Sequence, residues 1–193
     1  MTWPRLTSAQ TVGPFFHPAL LREDCRRNVL VQPATSGERI RIEGTVLDGE
    51  GAPVPDALVE IWQANGHGRY HHPLDQRDLP LDPAFTGFGR AGTDDAGRYW
   101  FETVKPGPVP FTADRPQAPH VCVTVFARGL LNHLATRLYF DDEPANADDP
   151  VLLLVPAERR STLLAMRENA AGMTVYRFDV VLQGDGETAF FNV

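Results

Sequence analysis

Arg39-Ile40-Arg41-Ile42-Glu43-Gly44-Thr45-Val46 alternates without a break. Ile40, Ile42, Gly44 and Val46 fall on one face and Arg39, Arg41, Glu43 and Thr45 on the other. Successive side chains of an extended chain point to opposite sides, so this is the period-2 pattern of a half-buried strand. Asp48-Gly49-Glu50-Gly51 then turns the chain, Pro53 to Pro55 delay the next strand, and Leu58-Val59-Glu60-Ile61-Trp62 resumes it. The same grammar returns at Asp94-Asp95-Ala96-Gly97, which leads into Arg98-Tyr99-Trp100-Phe101-Glu102-Thr103-Val104 and stops at Lys105-Pro106-Gly107-Pro108. Asp and Gly supply turn geometry, and aromatic and β-branched residues suit a pleated, half-buried surface. Further strands are expected over 120–127, 134–140, 174–182 and 188–191. Short strands separated by turns predict an all-β fold, a two-sheet β-sandwich with long loops. One short helix is expected over 157–167, where good helix formers follow Pro156.

The remaining sequence bounds the class. With 193 residues the chain makes one domain with an arm. Residues 1–35 read as an irregular N-terminal arm and 36–193 as the β domain. The arm carries Phe15, Phe16, Leu20 and Leu21, side chains costly to leave in water, so it is expected to pack on something. A net charge of −7 argues against nucleic acid as a partner, because a backbone-neutralising basic patch is missing. No apolar run has the length of a membrane span, and the first residues lack the basic-then-apolar pattern of a secretion signal. Cys25 and Cys122 make no disulfide framework. A cytoplasmic protein is the expectation.

Chemistry-bearing residues concentrate in two places. The stretch 66–90 fits neither strand nor helix and contains His67, Tyr70, His71, His72, Asp75, Asp78 and Asp82. A polar loop of that length inside a compact domain is usually functional or disordered. Imidazole and phenolate are iron or copper donors, yet His71 and His72 are neighbours and no zinc-type spacing occurs. The second place is the strand beginning at His120. Cys122 shares its face by the strand period, but a lone His at a strand start and a buried free Cys are more often structural than ligating. Arg128 falls at the end of that strand. Most such arginines are solvated, although a planar guanidinium also suits a substrate carboxylate. No phosphate-binding Gly loop, serine nucleophile elbow or paired catalytic carboxylate motif is present.

An ordered set of segments is similar to the intradiol ring-cleavage dioxygenase family, within it the protocatechuate-cleaving branch. It begins with Gln10-Thr11-Val12-Gly13-Pro14, Val59-Glu60-Ile61-Trp62-Gln63-Ala64, and Phe88-Gly89-Arg90 followed by Thr93-Asp94-Asp95-Ala96-Gly97. Val104-Lys105-Pro106-Gly107, Ala118-Pro119-His120, Phe126-Ala127-Arg128-Gly129 and Arg137-Leu138-Tyr139-Phe140 continue it. Tyr176-Arg177-Phe178-Asp179, Gln183-Gly184 and Glu187-Thr188-Ala189-Phe190-Phe191 complete it. Each piece is weak alone, and the turn grammar also suits transthyretin-like modules, but the order covers nearly the whole chain.

The resemblance implies a β-sandwich fold and a non-haem ferric ion held by two Tyr and two His ligands. Tyr70 matches the first tyrosine and His120 the first histidine, while Val109 stands where the second tyrosine belongs and Cys122 where the second histidine belongs. Valine coordinates nothing, and a thiolate would change the charge and geometry of the site. The resemblance therefore implies a chain that binds no metal and has no catalytic residue of its own. Such a chain is the α chain of a heteromeric enzyme, with Fe(3+) in a homologous iron-bearing β subunit and with protocatechuate and O2 meeting at the interface. The reaction implied is ring cleavage to 3-carboxy-cis,cis-muconate. Thr11, Gly13 and Pro14 match α-chain residues that line the partner's substrate pocket, and Arg128 matches an α-chain arginine near it. Tyr70 and His120 would be relics of a duplicated iron site. Two other readings stand beside this one: a self-sufficient dioxygenase with an atypical iron site, and a non-catalytic transthyretin-like binding module.

Overall fold

The computed structural model describes residues 8–13, 16–112, 114–170 and 172–192. The strands are β1 (Arg39–Leu47), β2 (Leu58–Trp62), β3 (Phe88–Gly92), β4 (Arg98–Val104), β5 (Val109–Thr112), β6 (Arg115–Gln117), β7 (His120–Phe126), β8 (Leu134–Phe140), β9 (Leu164–Ala170), β10 (Met173–Arg177) and β11 (Val180–Val181). The architecture is all-β, as the alternation predicts. Nine strands make one sheet: eight follow the hydrogen-bonded path β11-β1-β10-β9-β8-β7-β2-β3, β4 pairs with the other edge of β1, and β5 with β6 forms a separate ribbon. β1 shows the expected alternation of buried and part-exposed residues along its length.

β3 and β4 approach each other through the arm. Arg27 and Arg90 of β3 exchange backbone hydrogen bonds at 2.8 and 3.2 Å, while Leu30 N–H donates to Glu102 O of β4 at 2.8 Å. Residues 27–30 thus lie between β3 and β4 and nearly close the sheet. Pairing leaves few free edge groups at that seam. The enclosed core draws on both halves of the path. Ile40, Ile42, Tyr99 and Phe101 come from one half and Val59, Ile61, Val121, Val123 and Val125 from the other.

One glycine in β1 is fixed by a close approach. A Cβ on Gly44 would stand 1.8 Å from the carbonyl oxygen of Phe178, between β10 and β11, so only glycine lets these strands share that edge of β1.

The expected helix over 157–167 is corrected. Residues Ala157–Leu163 form a 3₁₀ helix, and β9 begins at once with Leu164. Leu163 and Ala165 are fully buried while Met166 is exposed, and β9 pairs with β10 over five positions and with β8 at two. Cross-strand pairing overrides the intrinsic helix preference of Leu, Ala, Met and Arg. The expected strand over 188–191 is also corrected, since only Phe191 is paired, as an isolated bridge to Ala135. Conversely the arm, read as irregular, holds one short helix, α1 (Phe16–Leu20).

Candidate functional site

Strand register builds the first site. Trp62 of β2 pairs with Cys122 of β7, and Cys122 pairs with Arg137 of β8, so the three side chains stand abreast across neighbouring strands. His120 lies two residues before Cys122 on the same face, opposite the core valines Val121, Val123 and Val125. The β5–β6 ribbon adds Val109, Pro110 and Gln117, and the long loop adds Tyr70, His72 and Arg77. Together these residues line a cavity of about 690 Å³.

The loop is built rather than floppy. Asn65 Oδ1 accepts from the backbone N–H groups of His67 and Arg69 at 2.9 and 3.0 Å. A Cβ at Gly68 would meet Pro108 O at 2.1 Å, and its φ of +78° suits glycine, so the loop lies directly on the segment before β5. Tyr70 N–H donates to Asp75 Oδ2 at 2.8 Å, and Arg77 Nε donates to Asp75 Oδ1 at 2.8 Å. The Arg77 guanidinium holds the Asp75 carboxyl well below the usual carboxylate range. Tyr70 stacks on Trp62 with ring centroids 5.8 Å apart and planes 12° apart. His71, by contrast, contacts Phe85 O at 3.1 Å through Nδ1, away from the cavity-lining set.

The potential donors of this cavity are held neutral. Burial, reinforced by Cys122, pushes the Tyr70 phenol up to about 12. Burial also raises the Cys122 thiol, against the opposing pull of Arg137. His120 is 4% exposed, and burial with the Arg137 charge lowers it to about 4. Its Nδ1 lies 2.8 Å from Ala118 O, an acceptor only, so Nδ1 carries the proton. Behind it, buried Asp149 accepts from Ala118 N, Tyr139 Oη, Val151 N and Leu152 N at 2.7, 3.0, 2.9 and 2.7 Å.

Tyr70, Val109, His120 and Cys122 therefore converge on one cavity, although they come from a loop and two strands. The set does not fit a ferric ion held by two phenolates and two imidazoles. One position is an aliphatic side chain with no lone pair, and another is a thiol that burial keeps protonated.

The residues matched to a substrate pocket lie at the far end of β7. A seven-residue strand spans roughly 20 Å, which separates Arg128 from the cavity at His120. Thr11 Oγ1 accepts from Gly129 N–H at 2.8 Å, which brings Thr11 beside Arg128. Gly13 O accepts from Phe16 N–H at 3.1 Å, and the Phe16 ring stands 6.0 Å from that of Phe126. Pro14 lies outside the described residues. Arg128 is exposed and its Nη2 donates to Asp56 Oδ2 at 2.9 Å. Thr11, Gly13 and Arg128 are thus gathered on one surface. Sequence reasoning did not single out Trp62, Arg137 or Asp149. The period of β7 and β8 gives the face of Cys122 and Arg137, but only register shows that they meet.

The family model described as Dioxygenase matches residues 12–184. The protocatechuate 3,4-dioxygenase alpha chain of Burkholderia cepacia is 46% identical, with 100% of each chain covered. The beta chain of the same organism's enzyme is 39% identical over 93% of this chain and 77% of its own length. Among solved structures, the dioxygenase domain of a dioxygenase–carbohydrate-binding protein fusion from Streptomyces sp. SirexAA-E has a TM-score of 0.64 and 27% identity, covering 85% of this chain and 89% of that one. Family match, full-length identity and fold agree, and the chain belongs to the intradiol ring-cleavage dioxygenase family.

Proposed function

We propose that this chain is the iron-free α subunit of a cytoplasmic protocatechuate 3,4-dioxygenase, that its nearly closed sheet is the family's β-sandwich, and that a homologous β subunit holds the ferric ion. The observation that carries the reading is the cavity of Tyr70, Val109, His120 and Cys122, in which the donor set is broken at two positions. Similarity over the whole of an α chain and over 77% of a β chain supports a pair of homologous subunits.

The ferric ion would supply activation of the catechol, and this chain would supply positioning. Thr11, Gly13, Pro14 and Arg128 would face the partner's substrate pocket, with protocatechuate and O2 at the interface. Arg128 suits that task because its ion pair with Asp56 is exposed, 65% and 47% for the two side chains. Such a pair contributes little net free energy, so the guanidinium is readily shared with a second carboxylate. A cation placed for the substrate carboxylate orients the ring before reaction and offsets the −7 charge of the chain.

Iron content and visible absorbance of the chain purified alone, and then with its β partner, test the reading. Colour and about one iron per pair are expected only when both chains are present. A coloured, iron-loaded lone chain would overturn it in favour of a self-sufficient dioxygenase. Failure of this chain to associate with any β-type chain would leave a non-catalytic binding module.

A further inference from the structure

The cavity that cannot hold the family's iron is still a built pocket. Its charge balance turns on Arg137. Arg77, the other guanidinium in the wall, is taken up by Asp75. Arg137 has no carboxylate partner among the described residues. Its Nη1 donates to Gln117 Oε1 at 2.7 Å and more weakly to Tyr139 Oη at 3.4 Å. No described residue accepts from Nε or Nη2. Those two atoms form the edge of a guanidinium that binds both oxygens of a carboxylate at once. Gln117 and Tyr139 fix the plane of the group from the opposite side, so the free edge is held in place.

The rest of the wall is largely ring and hydrocarbon. Trp62 and Tyr70 stack in parallel along one side, and Val109 and Pro110 come from the ribbon. The volume of about 690 Å³ falls within the range of small-molecule sites. A flat apolar body with one planar anionic group matches this lining: the ring gains stacking and burial, and the carboxylate meets the one guanidinium edge left open.

We propose that this cavity is a ligand site of its own, taking a small aromatic monocarboxylate with its ring against Trp62 and Tyr70 and its carboxylate on the Nε–Nη2 edge of Arg137. The proposal goes beyond the subunit reading and does not depend on it, since every residue involved belongs to this chain. The site lies at the opposite end of β7 from Arg128, so it is distinct from the surface assigned to the partner's substrate pocket.

Isothermal titration of the full chain with benzoate tests it, with acetate and phenol as probes that each lack half of the ligand. One benzoate per chain is expected, with acetate and phenol at least tenfold weaker. Arg137→Gln, which keeps hydrogen-bonding capacity but removes the charge, should weaken benzoate at least tenfold and leave phenol unchanged. Val109→Phe should abolish binding by filling the cavity, and it decides the matter if Arg137→Gln does not fold. No saturable benzoate binding up to about 10 mM, or unchanged affinity in the variants, would overturn the proposal.

Discussion

Thr11 Oγ1 accepts a hydrogen bond from the backbone N–H of Gly129 at 2.8 Å, across 118 positions of sequence. This contact ties the start of the described arm to the turn that presents Arg128. The arm therefore has a defined place on the chain's own surface, and that place adjoins the guanidinium proposed for substrate recognition. The bond is exposed, so it positions more than it stabilises.

Thr11→Val removes the acceptor while keeping the shape. Limited proteolysis should cut the arm ahead of α1 several-fold faster, and KM for protocatechuate in the assembled enzyme should rise about two- to tenfold with kcat little changed, the range of one hydrogen bond. An unchanged cleavage rate would show that the bond does not hold the arm.

Arg128→Ala should cost less than about 1 kcal/mol of stability, because the pair with Asp56 is exposed. In the assembled enzyme it should lower kcat/KM for protocatechuate about tenfold or more while leaving unsubstituted catechol nearly unaffected. Equal losses on both substrates would remove the carboxylate role.

Tyr70→Phe in this chain should leave the iron content and visible spectrum of the assembled enzyme unchanged, since the phenol is kept protonated by burial beside Val109 and Cys122. Metal analysis and absorbance check this. A fall in iron would make Tyr70 a ligand.

His120 predicts an acid limb in stability. Burial first, then Arg137, lowers it to about 4, while the hydrogen bond to Ala118 O and Asp149 act in the other direction. An unfolded histidine titrates near 6.5, so below that pH the unfolded chain takes up a proton that the folded chain refuses. Stability is intact above about 6.5 and declines as the pH falls toward about 4, by roughly 3 kcal/mol in total. Urea midpoints measured from pH 7 to pH 4 should show the decline, and His120→Gln should flatten it. A slope identical in the two proteins would assign it to other groups.

Asp149→Ala should destabilise the fold by about 3 kcal/mol or more. The carboxylate is 1% exposed, and its removal strands the N–H groups of Ala118, Val151 and Leu152 and the Tyr139 hydroxyl. Chemical denaturation gives the value, and a loss under 1 kcal/mol would mean that water replaces it freely.

The period of Ile40, Ile42 and Val46 suffices to identify β1, and the turn chemistry around it sets the all-β class, because local backbone preference and one-sided burial agree there. They disagree at 157–167. Leu164, Ala165 and Met166 favour a helix locally, and only the edges offered by β8 and β10 draw them into a strand. The order of motifs also gives the family, since those residues are chemical identities that survive without coordinates. What the sequence left open was proximity. Val109 and Cys122 are separated from Tyr70 by dozens of residues, and Arg137 carries no local mark of function. The register of β2, β7 and β8 and the fold of the β5–β6 ribbon bring them to one cavity. Register is set by how all the strands pack together, which no single segment encodes, so the wall of that cavity and the open edge of Arg137 belong to the tertiary structure alone.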